Sequence, residues 1–156
     1  MVTIDTNIRL EAPAQYTNYA FDSMCQHPDG FYLGANENGL FLLDGVDDNG
    51  TAIEASFTLP LDDLGSHMHK RLRFLYLGLE GNGDVLVTVS FDELDDTHEI
   101  TFSIPQEHQQ TGLMRPVSRA VFGRYLRLKV ENVNGSVFAL DSIDVVPIGL
   151  RSCLRG

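Results

Sequence analysis

Apolar and polar positions alternate along most of this chain with a period of two, the pattern of a strand half-buried in a sheet. Val85 to Phe91 is the clearest case. Val85, Val87, Val89 and Phe91 fall on one face, and Leu86, Thr88 and Ser90 on the other. Ile100, Phe102 and Ile104 align in the next run. Further on, Leu126, Leu128 and Val130 stand opposite Tyr125, Arg127 and Lys129, within a strand read over 119–130. His67 to Leu79 carries the strongest strand signal. Its expected faces are Leu72, Phe74 and Tyr76 against Arg71, Arg73, Leu75 and Leu77, and the change from Arg to Leu predicts entry into a more buried region. Ser136 to Val146 is the last strand, with Ile143 and Val145 in shifted phase from Phe138 and Leu140.

Turn residues punctuate these runs. Pro28-Asp29-Gly30 presets one negative φ and accepts one positive φ. Asn-Gly recurs at 38–39, 49–50 and 134–135, and suits type I′ turns because both residues tolerate positive φ. Phe31 to Thr58 therefore reads as a β-meander near the middle of the domain, ending in an alternating strand over Thr51 to Thr58. Glu80-Gly81-Asn82-Gly83-Asp84 reads as the turn of a hairpin, and Pro105 to Val117 as a loop. No helix-period stretch with a cap and a stop is present. The pattern predicts one all-β domain, an antiparallel β-sandwich or jelly roll over residues 16–147. An N-terminal arm (1–15) and a C-terminal tail (148–156) flank it.

Composition narrows the class. The 156 residues carry a net charge of −11, which disfavours nucleic-acid binding because phosphates repel an acidic surface. The charge is segregated. Residues 1–69 hold eleven acids and one base, whereas residues 70–156 hold eleven acids and ten bases. Cys25 and Cys153 are too few for a disulfide framework or a zinc site and read as free thiols. No signal peptide or membrane-length apolar run is visible, so a soluble chain made in the cytoplasm is expected.

Candidate chemistry is sparse. His67 and His69 have chelating spacing but no third ligand nearby, and read as a loop-to-strand junction. Asp44, Asp47, Asp48 and Asn49 are hard oxygen donors without EF-hand spacing, and read as a turn, as do Asp92, Glu93, Asp95 and Asp96. No nucleophile elbow, zinc-protease motif or phosphate loop occurs, so neither enzyme activity nor a cofactor or metal is expected. Sugar binding is the rival function for such a fold. The chain has no Trp, and Tyr16, Tyr19, Tyr32, Tyr76 and Tyr125 sit in strand patterns that suit a core or interface.

Several segments together resemble a known family. They include Phe21-Asp22-Ser23-Met24, Tyr32-Leu33-Gly34-Ala35-Asn36, Gly39 to Gly45, Ile53 to Thr58 and Lys70 to Gly78. Gly123-Arg124-Tyr125, Val130 to Gly135 and Phe138 to Ile143 complete the set. This pattern, over about residues 20–147, resembles small virion structural proteins of tailed bacteriophages, associated with the tail and its tip. The resemblance implies a non-enzymatic protein of the virion tail, assembling in multiple copies with itself and with other tail proteins. A host surface glycan is the alternative partner, and head or collar decoration the alternative place. The residues expected at the assembly interface are the basic set Lys70, Arg71, Arg73, Arg124, Arg127 and Lys129, facing an acidic neighbour.

Overall fold

Alternating strands need a second layer to cover their apolar faces, and the protein supplies it with antiparallel sheets. The computed structural model describes residues 3–7, 12–16, 20–45, 47–48, 50–92, 96–105 and 109–150, the first two ranges through the backbone alone. All regular elements among them are strands, and all pairings are antiparallel. The alternation predicts one sandwich over residues 16–147, and the contacts divide the chain into two compact units, 1–46 and 47–156.

In the first unit β1 (Thr3–Asn7) pairs with β2 (Ala12–Tyr16) across the expected arm. A meander follows, β3 (Ser23–Gln26), β4 (Tyr32–Asn36) and β5 (Gly39–Leu42). Gly30 at φ +96° makes the expected turn, donating to the His27 carbonyl at 2.9 Å. The β4–β5 turn is not type I′, because Glu37 and Asn38 keep negative φ and only Gly39 is positive. The Asn36 side chain closes it instead, accepting from the Asn38 N–H at 2.8 Å. Leu40 and Leu42 stay exposed, and Gly34 alone is buried among the described residues of this unit. The meander is therefore not the centre of the fold.

The second unit is a sandwich of two sheets. It contains β6 (Asp47–Asp48), β7 (Thr51–Ala52), β8 (Ser56–Thr58), β9 (Lys70–Gly81) and β10 (Asp84–Phe91). Then come β11 (Thr97–Ser103), β12 (Thr111–Pro116), β13 (Phe122–Gly123), β14 (Leu126–Asn132) and β15 (Phe138–Gly149). One sheet has the order β11-β10-β14-β8. The other is centred on β9, with β12 and β13 along one edge and β15 along the other. Thr51 to Thr58 is two elements rather than one strand, since β7 pairs with β6 and β8 with β14.

The inner faces meet in one core. Leu72, Leu75, Leu77 and Leu79 of β9 pack with Val85, Val87, Val89, Phe91, Ile100, Phe102, Leu126, Leu128 and Val130, all buried. Each such side chain contributes about 1.5–3 kcal/mol by leaving water. The faces of β10, β11 and β14 are those the alternation predicts. The face of β9 is not. Leu72 and Leu75 both point inward because Arg73 is an extra residue: Leu72 opposes Pro147 and Phe74 opposes Val146. This bulge shifts the phase by one residue. A second shift, at Asp141, brings Ile143 and Val145 into line with Leu140.

Two further expectations give way. β9 and β10 do not pair as a hairpin. They lie in different sheets, with their apolar faces opposed across the core. Pro105 to Val117 is not all loop, because Thr111–Pro116 forms the edge strand β12 against β9. The proline sits at the last position of that edge strand, where an absent donor is tolerated. The reading of 119–130 as one strand is likewise divided, into β13 and β14.

The crossings between sheets are tied at both ends of β9. At one end the turn after Gly81 stacks on the turn after Asn132. Asn82 N donates to Val137 O at 2.9 Å, and Ser136 Oγ to Asp84 O at 2.6 Å. Asn134 and Gly135 have φ of +54° and +73°, and Ser136 N donates to Val133 O at 3.1 Å, so this Asn-Gly pair makes the type I′ turn. Gly81 has φ +150°, and a Cβ there would lie 2.1 Å from Val137 O. Gly81→Ala should therefore cost about 1–3 kcal/mol, while Gly112→Ala, with open space around it, should stay within about 0.5 kcal/mol. Urea midpoints measure both, and equal midpoints would contradict the clasp.

Candidate functional site

The expected basic interface does not form one patch. Lys70, Arg71 and Arg73 belong to β9, whereas Arg127 and Lys129 belong to β14 in the other sheet. Outward side chains of the two sheets point away from each other.

Lys70 is not at the surface at all. It is 3% exposed, and its Nζ donates to the carbonyls of Asp63 at 2.7 Å, Ser66 at 2.6 Å and Arg124 at 2.6 Å. The three donors of an ammonium group are thereby all used. Asp63 and Ser66 lie in the β8–β9 connection and Arg124 in the β13–β14 connection, so one side chain ties two crossings at the second end of β9. Arg127 meets Asp92 at 3.6 Å, and Lys129 meets Glu131 at 2.6 Å. These are solvent-screened pairs of small worth. Arg73 lies 5.2 Å from the centre of the Phe74 ring.

The outer face of the β9 sheet is the feature that the alternation pattern alone did not reveal. Register places Met114, Tyr76 and Asp144 in one row across β12, β9 and β15. Pro116, Phe74 and Val146 form the row on one side of it, and Gly112, Gly78 and Ser142 the row on the other. Met114, Tyr76 and Val146 are 45%, 38% and 37% exposed. Phe74 is half-buried, its ring 6.4 Å from that of Tyr76 and beneath Arg73. Arg71 and Arg73 stand at one end of this apolar stripe and Glu80 at the other. The bulge at Arg73 sets the phase that turns Phe74 and Tyr76 outward, and single-strand periodicity carries no sign of a bulge.

The remaining candidates are structural. His67 Nδ1 meets Asp63 Oδ2 at 3.2 Å, and His69 stands 6.3 Å from the Phe122 ring. Asp44 and Asp47 each accept from a glycine N–H in their own turn, Gly45 and Gly50, at 2.8 Å. Asn49, Glu93, Asp95 and Cys153 lie outside the described residues, and Cys25 is an exposed free thiol. Among the described residues no group of three or more His, Cys, Asp or Glu is placed to hold a metal ion. A shallow cleft of about 500 Å³ between the two stacked turns is lined by Asn82, Gly83, Asp84 and residues 133–136. Its polar groups are largely spent on the clasp itself. No described helix is long and apolar enough to cross a membrane.

The chain matches no family model, and no curated protein is similar to it in sequence.

Loss of Lys70 should be costly because it removes the one buried donor group that ties the carbonyls of Asp63, Ser66 and Arg124 together. Lys70→Ala should lower stability by about 2–4 kcal/mol, against at most about 0.5 kcal/mol for Arg127→Ala. Chemical denaturation of the two variants measures the difference. Similar losses would return Lys70 to the surface set.

Proposed function

We propose that this protein is a non-enzymatic structural component of a bacteriophage virion, most naturally of the tail or tail tip, where it assembles in multiple copies. The observation that carries the reading is the outer face of the β9 sheet. An antiparallel sheet with one buried face ordinarily turns polar residues to water. The β10–β14 sheet does so with Thr88, Ser90, Thr101 and Lys129. The β9 sheet instead presents Phe74, Tyr76, Met114, Pro116 and Val146 in adjacent rows. Clustered apolar side chains on an outer face mark a contact surface. The resemblance of residues 20–147 to small tail proteins supplies the setting.

The same face favours one second reading, a sugar-binding module. Tyr76 offers an exposed ring with Asp144 and Ser142 beside it. Phe74 adds little, because Arg73 already covers its ring. The apolar neighbours Met114 and Val146 suit a protein surface better than a sugar hydroxyl edge.

Quantitative mass spectrometry of purified tailed particles, grown from cells producing the chain, separates the readings. The structural reading predicts a fixed copy number above one per particle, unchanged by salt washing. Absence of the chain from particles would sink it. Retention in particles together with micromolar binding on a glycan array, lost in Tyr76→Ala, would favour the second reading. Removal of the residues after 150 should weaken incorporation. Removal from 148 should also destabilise the fold, since β15 runs to Gly149 and Leu150 N donates to His69 O at 2.8 Å.

A further inference from the structure

We infer that the outer face of the β9 sheet pairs with the same face of a second copy, across a two-fold axis that sets the two β9 strands antiparallel. The inference deepens the assembly reading above by naming the partner and geometry of that surface.

A two-fold contact must be self-complementary, because each patch meets itself. Face to face, two copies of a sheet can be related with their β9 strands parallel or antiparallel. A parallel arrangement would set Arg73 on Arg73 and Glu80 on Glu80, which is repulsive. The antiparallel arrangement sets the basic end of each stripe on the acidic end of the other.

The row contents then fix the axis. With the axis between the Tyr76 row and the Gly78 row, each row meets the other row of the partner copy. Met114 stands over Gly112, Tyr76 over Gly78, and Asp144 over the Ser142 hydroxyl. Met114 thus meets a position without a side chain, Tyr76 meets the polar groups that lie over Gly78, and the Asp144 carboxylate meets a hydroxyl donor. Gly112 has no atom within 4 Å of where a Cβ would stand, so its shelf is open to receive Met114. Ser142 and Asp141 both lie over Gly78, because the bulge at Asp141 places two consecutive residues on the outer side. The same axis sets the Phe74 row opposite the Glu80 row, and the Arg73 guanidinium, which lies over the Phe74 ring, meets the Glu80 carboxylate of the other copy there. One axis therefore seats Met114 on the open Gly112 shelf and brings the basic end of each stripe to the acidic end of the other.

The surface is modest in size. From Arg71 to Glu80 it extends about 30 Å along the strand, and across three strands about 10 Å. That area lies below a standard stable interface and corresponds to a weak pair, which tightens only within a larger assembly.

The test is native mass spectrometry and light scattering of the full chain from about 1 to 200 µM, the range that brackets a weak, micromolar pair. A reversible monomer–dimer equilibrium is expected. Arg73→Glu and Glu80→Arg should each weaken it roughly a hundredfold, because symmetry repeats each like-charge contact and each costs about tenfold. An equimolar mixture of the two variants should pair again, because the charge reversed in one copy then meets the charge reversed in the other, and the two unaltered positions meet as in the parent. Both positions lie on the outer side, so urea midpoints should match the parent chain. A parent chain that stays monomeric throughout, variants that still dimerise, or a mixture that fails to pair would each overturn the inference. A monomer that is nevertheless counted in particles would overturn the two-fold pair alone and leave the virion reading standing. A monomer that binds glycans through Tyr76 would overturn the pair in favour of a sugar site.

Discussion

Two sheets can share a core only if the chain crosses between them without stranding backbone donors and acceptors away from water. That constraint organises residues 47–156. β9 enters and leaves the core at points where another connection also crosses, and each end has its own device. At the Gly81 end two stacked turns exchange hydrogen bonds through Asn82, Ser136 and the backbone of residues 84, 133 and 137. Asn132 extends this clasp, accepting from Ala55 N at 2.8 Å and donating to Ile53 O at 2.7 Å. At the Lys70 end a single ammonium group satisfies three carbonyls from two connections. An uncompensated buried charge would be strongly destabilising, so the three acceptors are a condition for Lys70 to lie where it does.

With both ends held, the strand between them can carry opposite chemistries on its two faces. Inward, Leu75, Leu77 and Leu79 complete the core. Outward, Phe74 and Tyr76 remain beside Arg73, flanked by β12 and β15. The bulge at Arg73 links the two. Without the extra residue, the alternation that buries Leu72 would bury Phe74 and Tyr76 and turn the three leucines to solvent.

What could be read from residues alone follows the same physics. β10, β11 and β14 were legible because each has one apolar and one polar face in unbroken phase. β9 was legible as a strand but not in its orientation, since nothing local distinguishes a bulged residue from a paired one. β12 was hidden because Thr111–Pro116 contains a glycine and a proline, and becomes a strand only by pairing with β9. Lys70 was misplaced because a lysine in a basic run reads as surface, and its three acceptors come from 63, 66 and 124. The Asn-Gly rule held at 134–135 and failed at 38–39, where an Asn side chain closes the turn in another way. The stripe on the outer face emerged only once register aligned three strands distant in sequence.

Stability resides in the doubly tied β9 and the strands facing it, and not in the meander over residues 23–42. Native-state hydrogen exchange read by mass spectrometry tests it most directly. Amides of β9, β10 and β14 should exchange only through global unfolding, with the slowest rates in the molecule, while those of β3, β4 and β5 exchange far sooner. Equal protection of the meander and of β9 would contradict the account.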